Sequence, residues 1–569
     1  MHDLVVRGGQ VVDGLGGGPY RADVAIDGSR IVAVGSVTSG GREEVDATDQ
    51  LVSPGFVDIH THYDGQATWD SSLAPSSWHG VTTAVMGNCG VGFAPVREQD
   101  RGRIIELMEG VEDIPGTALH EGLDWSWETF PEYLDVLDSR PHDIDLCAQL
   151  PHGALRVYVM GERGARLEPA TEQDAAEMRR IAAEAIRAGA IGFSTSRTLN
   201  HRTVTGDPTP SLRAAAGELE AIALGLTDAG SGVIEMISDF WPDREAELAL
   251  VRQLLTVSGR PLSLSLAQSH RDSEGWRGLL DEVAKMAADG LPVRAQVAPR
   301  PIGVLLGLQA SFNPFSGHAA YRAVAGLPLE EQVRTLLDPS FRQRLLDETH
   351  DKGKVRVDYD RIFRLGDPPN YEPEPESSLS SLAAARGVDP GVIACEMLAE
   401  DEGHNFLFAP FANYADRNLD ACGEMLGHPD TVMGLGDGGA HVGTISDASF
   451  PTFLLAHWGR DRSHGCIDIG TLVEQLTSRP ARTVGLLDRG VLAPGMRADL
   501  NVIDFDRLRC ERPTMAYDLP AGGKRLLQRA TGYTATIVAG RPIARDGVAT
   551  GAVPGRLVRG PQPDPRLLR

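Results

Sequence analysis

Residues 55–65 read GFVDIHTHYDG, an apolar run that carries Asp58, His60 and His62 at alternate positions. In an extended strand those three side chains point the same way. Three polar groups on one face of a strand that is otherwise apolar are the beginning of a metal site, because neutral imidazole is the commonest protein ligand for metals. Three further residues extend the set: Cys89 in GNCGVGFAP, His270 in LAQSH and Asp437 in GLGDGGAH. Imidazole, thiolate and carboxylate together are a borderline-soft donor set that suits Zn2+, as one ion or two. Singly, each has a structural reading, Cys89 as a buried apolar thiol and Asp437 as a turn residue.

The spacing of apolar runs explains how residues so far apart could meet. Eight extended candidates occur at 55–62, 82–90, 144–153, 190–196, 232–239, 262–270, 293–299 and 431–439, several separated by helical patterns such as EQDAAEMRRIAAEAIRAG. Strands alternating with helices predict an α/β fold, and eight of them predict a (β/α)8 TIM barrel. His60 and His62 then fall at the end of strand one, Cys89 of strand two, His270 of strand six and Asp437 of strand eight. Those are the strand ends at which such barrels carry their chemistry.

Both ends of the chain have a different texture. Short β patterns with glycine turns fill 1–55, and residues 476–569 return to them in ADLNVIDF and ATIVAGRPIARDGV. The two ends are expected to pair into one small β-sandwich flanking a barrel at 56–475. The gap between the seventh and eighth strand candidates is too long for a plain connection, so about 300–430 is expected to be an insert over the barrel mouth.

Composition narrows the partners. The formal net charge of the 569 residues is -25, which argues against nucleic acid or an anionic membrane as partner. No apolar run reaches a membrane-spanning length, and MHDLVVRGGQVVDG lacks the apolar core of a signal peptide. Six scattered cysteines make no disulfide framework, so the cytoplasm is the expected compartment.

PGFVDIHTHYDGQ, GNCGVGFAP, GFSTS, GDGGAH and the tail TSRPARTVGLLDRGVLAPGMRADLNVIDF resemble the amidohydrolase superfamily, and within it the N-acyl-D-amino-acid deacylases. The resemblance implies a zinc-dependent hydrolase that cleaves the amide of an N-acyl amino acid, with Asp437 moving protons between water and the departing nitrogen. Many relatives bridge two metals with a modified lysine on strand four. Here the first lysine is Lys285, so that bridge is absent and Cys89 takes the ligand role that the deacylases give to a strand-two cysteine. The family also places a histidine at the end of strand five, where this chain reads GVIEMISDF and offers Glu235 instead. A substrate carboxylate would want a guanidinium, for which Arg271, Arg197 and Arg300 are candidates. His441, His201 and His152 are further candidates for substrate contact, His441 also for steadying Asp437. Two alternatives stay open: action on a cyclic amide, imide or other C–N bond, and a non-catalytic protein of the same fold.

Overall fold

The computed structural model describes residues 1–349 and 357–567. Eight parallel strands follow one another in hydrogen-bonded order: Phe56–Asp58, Val81–Met86, Asp145–Pro151, Gly192–Arg197, Val233–Ser238, Leu262–Ser265, Val293–Val297 and Thr431–Met433. The ring closes where the chain leaves the first and eighth strands. There the His62 N–H donates to Gly438 O at 2.7 Å and the Asp437 N–H donates to His60 O at 3.0 Å. The second and third strands are buried along their whole length, as strands covered on both faces must be, which is why they read as apolar runs. Each of the eight extended runs picked out in the sequence overlaps one of these strands.

The helices between strands follow simple rules. Glu172–Ala188 starts at a capping box in which the Thr171 hydroxyl accepts the Asp174 N–H and the Asp174 carboxylate accepts the Thr171 N–H. It buries Met178, Ile181, Ala182, Ala185 and Ile186, an i, i+3, i+4, i+7, i+8 stripe facing the barrel. Glycine is required where the first and eighth strand ends meet. A Cβ on Gly436 would lie 2.4 Å from Asp58 Oδ2, and Gly439 adopts φ +89° against the His62 carbonyl.

Both chain ends contribute to one nine-stranded sheet. Its seam joins Leu51–Pro54 antiparallel to Leu500–Ile503, with Leu500 opposite Pro54. Leu4, Val6, Val24, Ile26, Val52, Leu500, Val502 and Ile537 form an apolar cluster separate from that of the barrel. Residues between the seventh and eighth barrel strands build a three-stranded sheet and several helices around their own core of Phe315, Leu336, Leu345, Ile393 and Leu407. This insert is tied to the segment after the eighth strand: Leu305 N donates to Thr444 O at 2.7 Å and Ser311 N to Gly443 O at 3.0 Å.

One element has no counterpart among the features expected from sequence. After Leu500–Ile503 the chain leaves the terminal sheet, forms the hairpin Thr514–Leu519 with Gly523–Leu527, and rejoins the sheet at Tyr533. The hairpin packs against the barrel mouth, where Leu526 N donates to Val442 O and the Lys524 ammonium donates to the carbonyls of Gln309 and Ala310 at 2.8 and 3.1 Å. Among the described residues no helix is long and apolar enough to cross a membrane.

Candidate metal centre

His60 and His62 lie just beyond the first strand, in the segment whose backbone bonds to the exit of the eighth. Their Nε2 atoms face a common point. His60 Nε2 is 3.3 Å from Cys89 Sγ and 3.4 Å from Asp437 Oδ1, and His62 Nε2 is 3.6 Å from the same carboxylate oxygen. One ligand atom from each of His60, His62 and Cys89 falls within 4.8 Å of the others, and all three side chains are buried. Cys89, Asp437 and His441 all adopt positive φ, at 55°, 45° and 48°. Non-glycine residues in that region concentrate where the surrounding fold holds functional groups in place. Asp58 does not join them, because its Oδ1 turns back to accept the His60 N–H at 3.1 Å.

The two histidines are aimed from behind. His60 Nδ1–H donates to Gln296 Oε1 at 2.9 Å, from the seventh strand, leaving Nε2 toward the cluster. His62 Nδ1 lies 3.2 Å from Glu112 Oε1, at the end of the helix Arg101–Glu112. Burial pushes the proton affinity of His60 down to about 4 and that of His62 to about 3. Both rings are therefore neutral at neutral pH, the form in which imidazole binds metal.

The carboxylates tell the complementary story. Burial pushes Glu235 up to about 8, opposed by the hydrogen bond from the Cys89 N–H and reinforced by the charge of Asp437. Glu112 is driven well above the ordinary carboxylate range by burial and then by Asp437 and Asp64. The Cys89 thiol is raised by burial and then by Glu235, Glu112 and Asp437. Neither oxygen of Glu112, nor Glu235 Oε1, has a hydrogen bond among the described residues. Anionic groups crowded out of water without a counter-charge are unfavourable, and a divalent cation inverts that balance. The donor set and the orphaned Glu235 oxygen thus fit a bound metal.

The remaining expected residues divide cleanly. Glu235 lies on the fifth strand and joins the site, its Oε2 accepting the Cys89 N–H at 3.0 Å. His441 stands half-buried, with Nε2 3.6 Å from Glu112 Oε2. Burial holds His201 down at about 3, and its proximity to the imidazoles of His441, His62 and His60 further disfavours a proton there; its Nδ1 meets Ser196 Oγ at 3.0 Å. His270 is not brought to the cluster. Its strand stops at Ser265, and its Nε2 lies 3.3 Å from the Arg361 guanidinium of the insert. His152 is also elsewhere, between Thr195 Oγ1 at 2.8 Å and Glu218 at 3.0 Å. Arg197 is held by Glu247 at 2.6 Å, and Arg300 is buried against Asp447 at 3.1 Å and stacked over Tyr371, so neither guanidinium is free for a substrate carboxylate. Arg271 is exposed. Sequence reasoning missed Glu112 and Gln296. Glu112 had a signal, since it occupies the apolar stripe of its helix with Ile104, Ile105, Met108 and Val111.

Comparison with known proteins follows the same outline. A family model described as "Amidohydrolase family" matches residues 43–544. D-aminoacylase of Alcaligenes xylosoxydans xylosoxydans is 26% identical over 567 residues, covering 98% of this chain and 97% of the relative. N-acyl-D-glutamate deacylase of the same organism is 28% identical over 534 residues, covering 91% and 90%. Among solved structures, that of D-aminoacylase matches with a TM-score of 0.66 at 23% identity, over 98% of this chain and all of that one. N-acyl-D-glutamate deacylase from Bordetella bronchiseptica, complexed with zinc and a phosphonate inhibitor, matches with a TM-score of 0.63 at 23% identity, over 98% and 99%. At that identity the structural likeness concerns the fold.

Proposed function

Because the chain belongs to the amidohydrolase family, we propose that it is a metal-dependent hydrolase that cleaves the amide bond of N-acyl amino acids. The observation that carries this reading is the buried His60–His62–Cys89 cluster facing Asp437 at the barrel's strand ends. Support comes from the near full-length likeness to D-aminoacylase and N-acyl-D-glutamate deacylase. The substrate is a small molecule with a carboxylate beside its acylated nitrogen. Six free cysteines favour a cytoplasmic setting.

On this reading His60, His62, Cys89 and Asp437 hold zinc, with Glu235, which accepts the Cys89 N–H, as a further donor for a second ion. Bound zinc would supply Lewis acidity toward the scissile carbonyl and toward water. Gln296 fixes which nitrogen His60 presents. Asp437 stands 3.4 and 3.6 Å from the two imidazoles, on the open side of the cluster, and is the one carboxylate there with an exposed edge. It accepts a proton from water and returns it to the leaving nitrogen.

Glu235 in place of a fifth-strand histidine favours a second reading, in which a cyclic amide or imide is the substrate. One experiment separates the two. Metal content is measured by elemental analysis, and the protein is then screened against N-acyl-D- and N-acyl-L-amino acids and cyclic amides, before and after chelation and zinc restoration. Zinc-dependent release of free amino acid is expected. Zinc-dependent opening of cyclic amides alone would move the assignment to the second reading, and a protein without metal or turnover would overturn both.

A further inference from the structure

Glu112 is expensive to keep where it stands. It is buried, it ends a helix, and it lies among other carboxylates. A helix C-terminus carries partial negative charge and disfavours an acid. Its place in the apolar stripe of Ile104, Ile105, Met108 and Val111 is one that leucine would fill without strain on burial grounds. Nothing in the packing of the helix explains an acid there.

What the acid touches does explain it. Oε1 approaches His62 Nδ1 at 3.2 Å and Oε2 approaches His441 Nε2 at 3.6 Å, while the Glu112 carbonyl accepts the His441 N–H. The His62 approach falls short of hydrogen-bond geometry, and His62 Nδ1 has no other partner among the described residues. The 3.2 Å separation is itself within hydrogen-bond distance. The helix end itself is anchored, because Asp113 accepts two contacts from Ser311 Oγ of the insert at 3.2 and 3.0 Å. Histidines that bind metal generally give their other N–H to a carboxylate, a carbonyl or water, which fixes the tautomer and ring angle. Gln296 does this for His60.

We propose that Glu112 is a positioning residue: its carboxylate accepts the Nδ1–H of His62, directs Nε2 into the metal site, and links that ring to His441 at the mouth. This inference rests on the metal-dependent reading above. Its test reads metal affinity rather than turnover. The wild-type protein, Glu112→Leu and Glu112→Gln are stripped with a chelator, and zinc affinity is measured by competition with a chromophoric chelator. Thermal melting of the metal-free proteins is recorded beside it. Glu112→Leu should weaken zinc by roughly ten- to a hundredfold. Glu112→Gln, which keeps a neutral acceptor, should lose less. The metal-free variants should melt no lower than wild type, because an unfavourably placed acid has gone. Wild-type affinity in Glu112→Leu would overturn the proposal and leave the metal reading intact. Equal losses in both variants would also overturn it, as would a fall in melting temperature that accompanies the lost affinity. A wild-type protein that binds no zinc would overturn both inferences together.

Discussion

Cys89 and Cys147 show how far one residue type can differ in role within a single barrel. Cys147 is buried among Val57, Val85 and Ile191 in an apolar cluster, and burial, more than any neighbouring charge, pushes its thiol up to about 12. Cys89 instead sits at positive φ, 3.3 Å from His60 Nε2. Cys89→Ala should therefore lose bound metal and activity together, while Cys147→Ala keeps both; elemental analysis of the two purified variants decides it. Asp437→Asn should retain the fold and most of the metal while kcat drops at least about 100-fold, the lower scale for losing a general base. Single-turnover kinetics and a melting curve on that variant distinguish lost proton transfer from a damaged turn. The residues of this site were legible in sequence to different degrees. His60, His62, Cys89 and Asp437 stand beside apolar runs that mark strand ends. The engagement of Arg197 and Arg300 was not legible, because the acids that hold them are 50 and 147 positions away and sequence gives no sign of such pairings. His270 misled for a different reason: its apolar run outlasts the strand, which ends at Ser265 before the chain bends to hydrogen-bond with Asn413.

At the scale of elements, parallel strands were readable because burial on both faces leaves short, largely apolar runs bounded by helical patterns, as in VTTAVM and VIEMIS. The hairpin Thr514–Leu519/Gly523–Leu527 was not, because its short, mixed-polarity, partly exposed strands resemble those of the terminal sheet. Its attachment is tertiary: Leu519 and Leu526 are buried in the same apolar cluster as the barrel, and polar contacts add to them. The Arg525 guanidinium, nearly buried, donates to Asp518 at 2.7 Å, to Gln66 Oε1 at 3.2 Å and to Ala74 O at 3.4 Å, so it pins the hairpin to the segment following His62. Arg525→Ala removes those bonds and should cost about 1–2 kcal/mol. Limited proteolysis should report it as faster cutting at the hairpin tip around Ala521 and Gly522, with denaturant unfolding giving the magnitude. Unchanged cutting would mean that the Leu526 and Lys524 contacts hold the hairpin alone.

The whole molecule is held by contacts between segments hundreds of residues apart. His79, just before the second barrel strand, meets Thr452 Oγ1 at 2.7 Å and Gln528 O at 3.0 Å, joining the barrel to the C-terminal excursion. Burial lowers its proton affinity from 6.5 to about 4. Between those values the unfolded chain takes up a proton that the folded one refuses, so stability contributed by neutral His79 is complete above about pH 6.5 and lost as pH falls through about 4. The loss approaches about 3 kcal/mol as an upper figure. His79→Gln should flatten that part of the stability curve, seen by denaturant titration at pH 7, 5.5 and 4; an unaltered slope would mean that other groups carry it. The seam between Leu51–Pro54 and Leu500–Ile503 has a consequence in time. A ribosome releases the first half of that seam long before it has made the second. At about 5–20 residues per second the wait is on the order of half a minute or more. Throughout it, the amino-terminal strands present an open hydrogen-bonding edge that only the last part of the chain can close. Newly made copies should therefore be far more prone to associate than finished ones, and a helper that shields the emerging amino-terminal segment would raise the yield of folded protein.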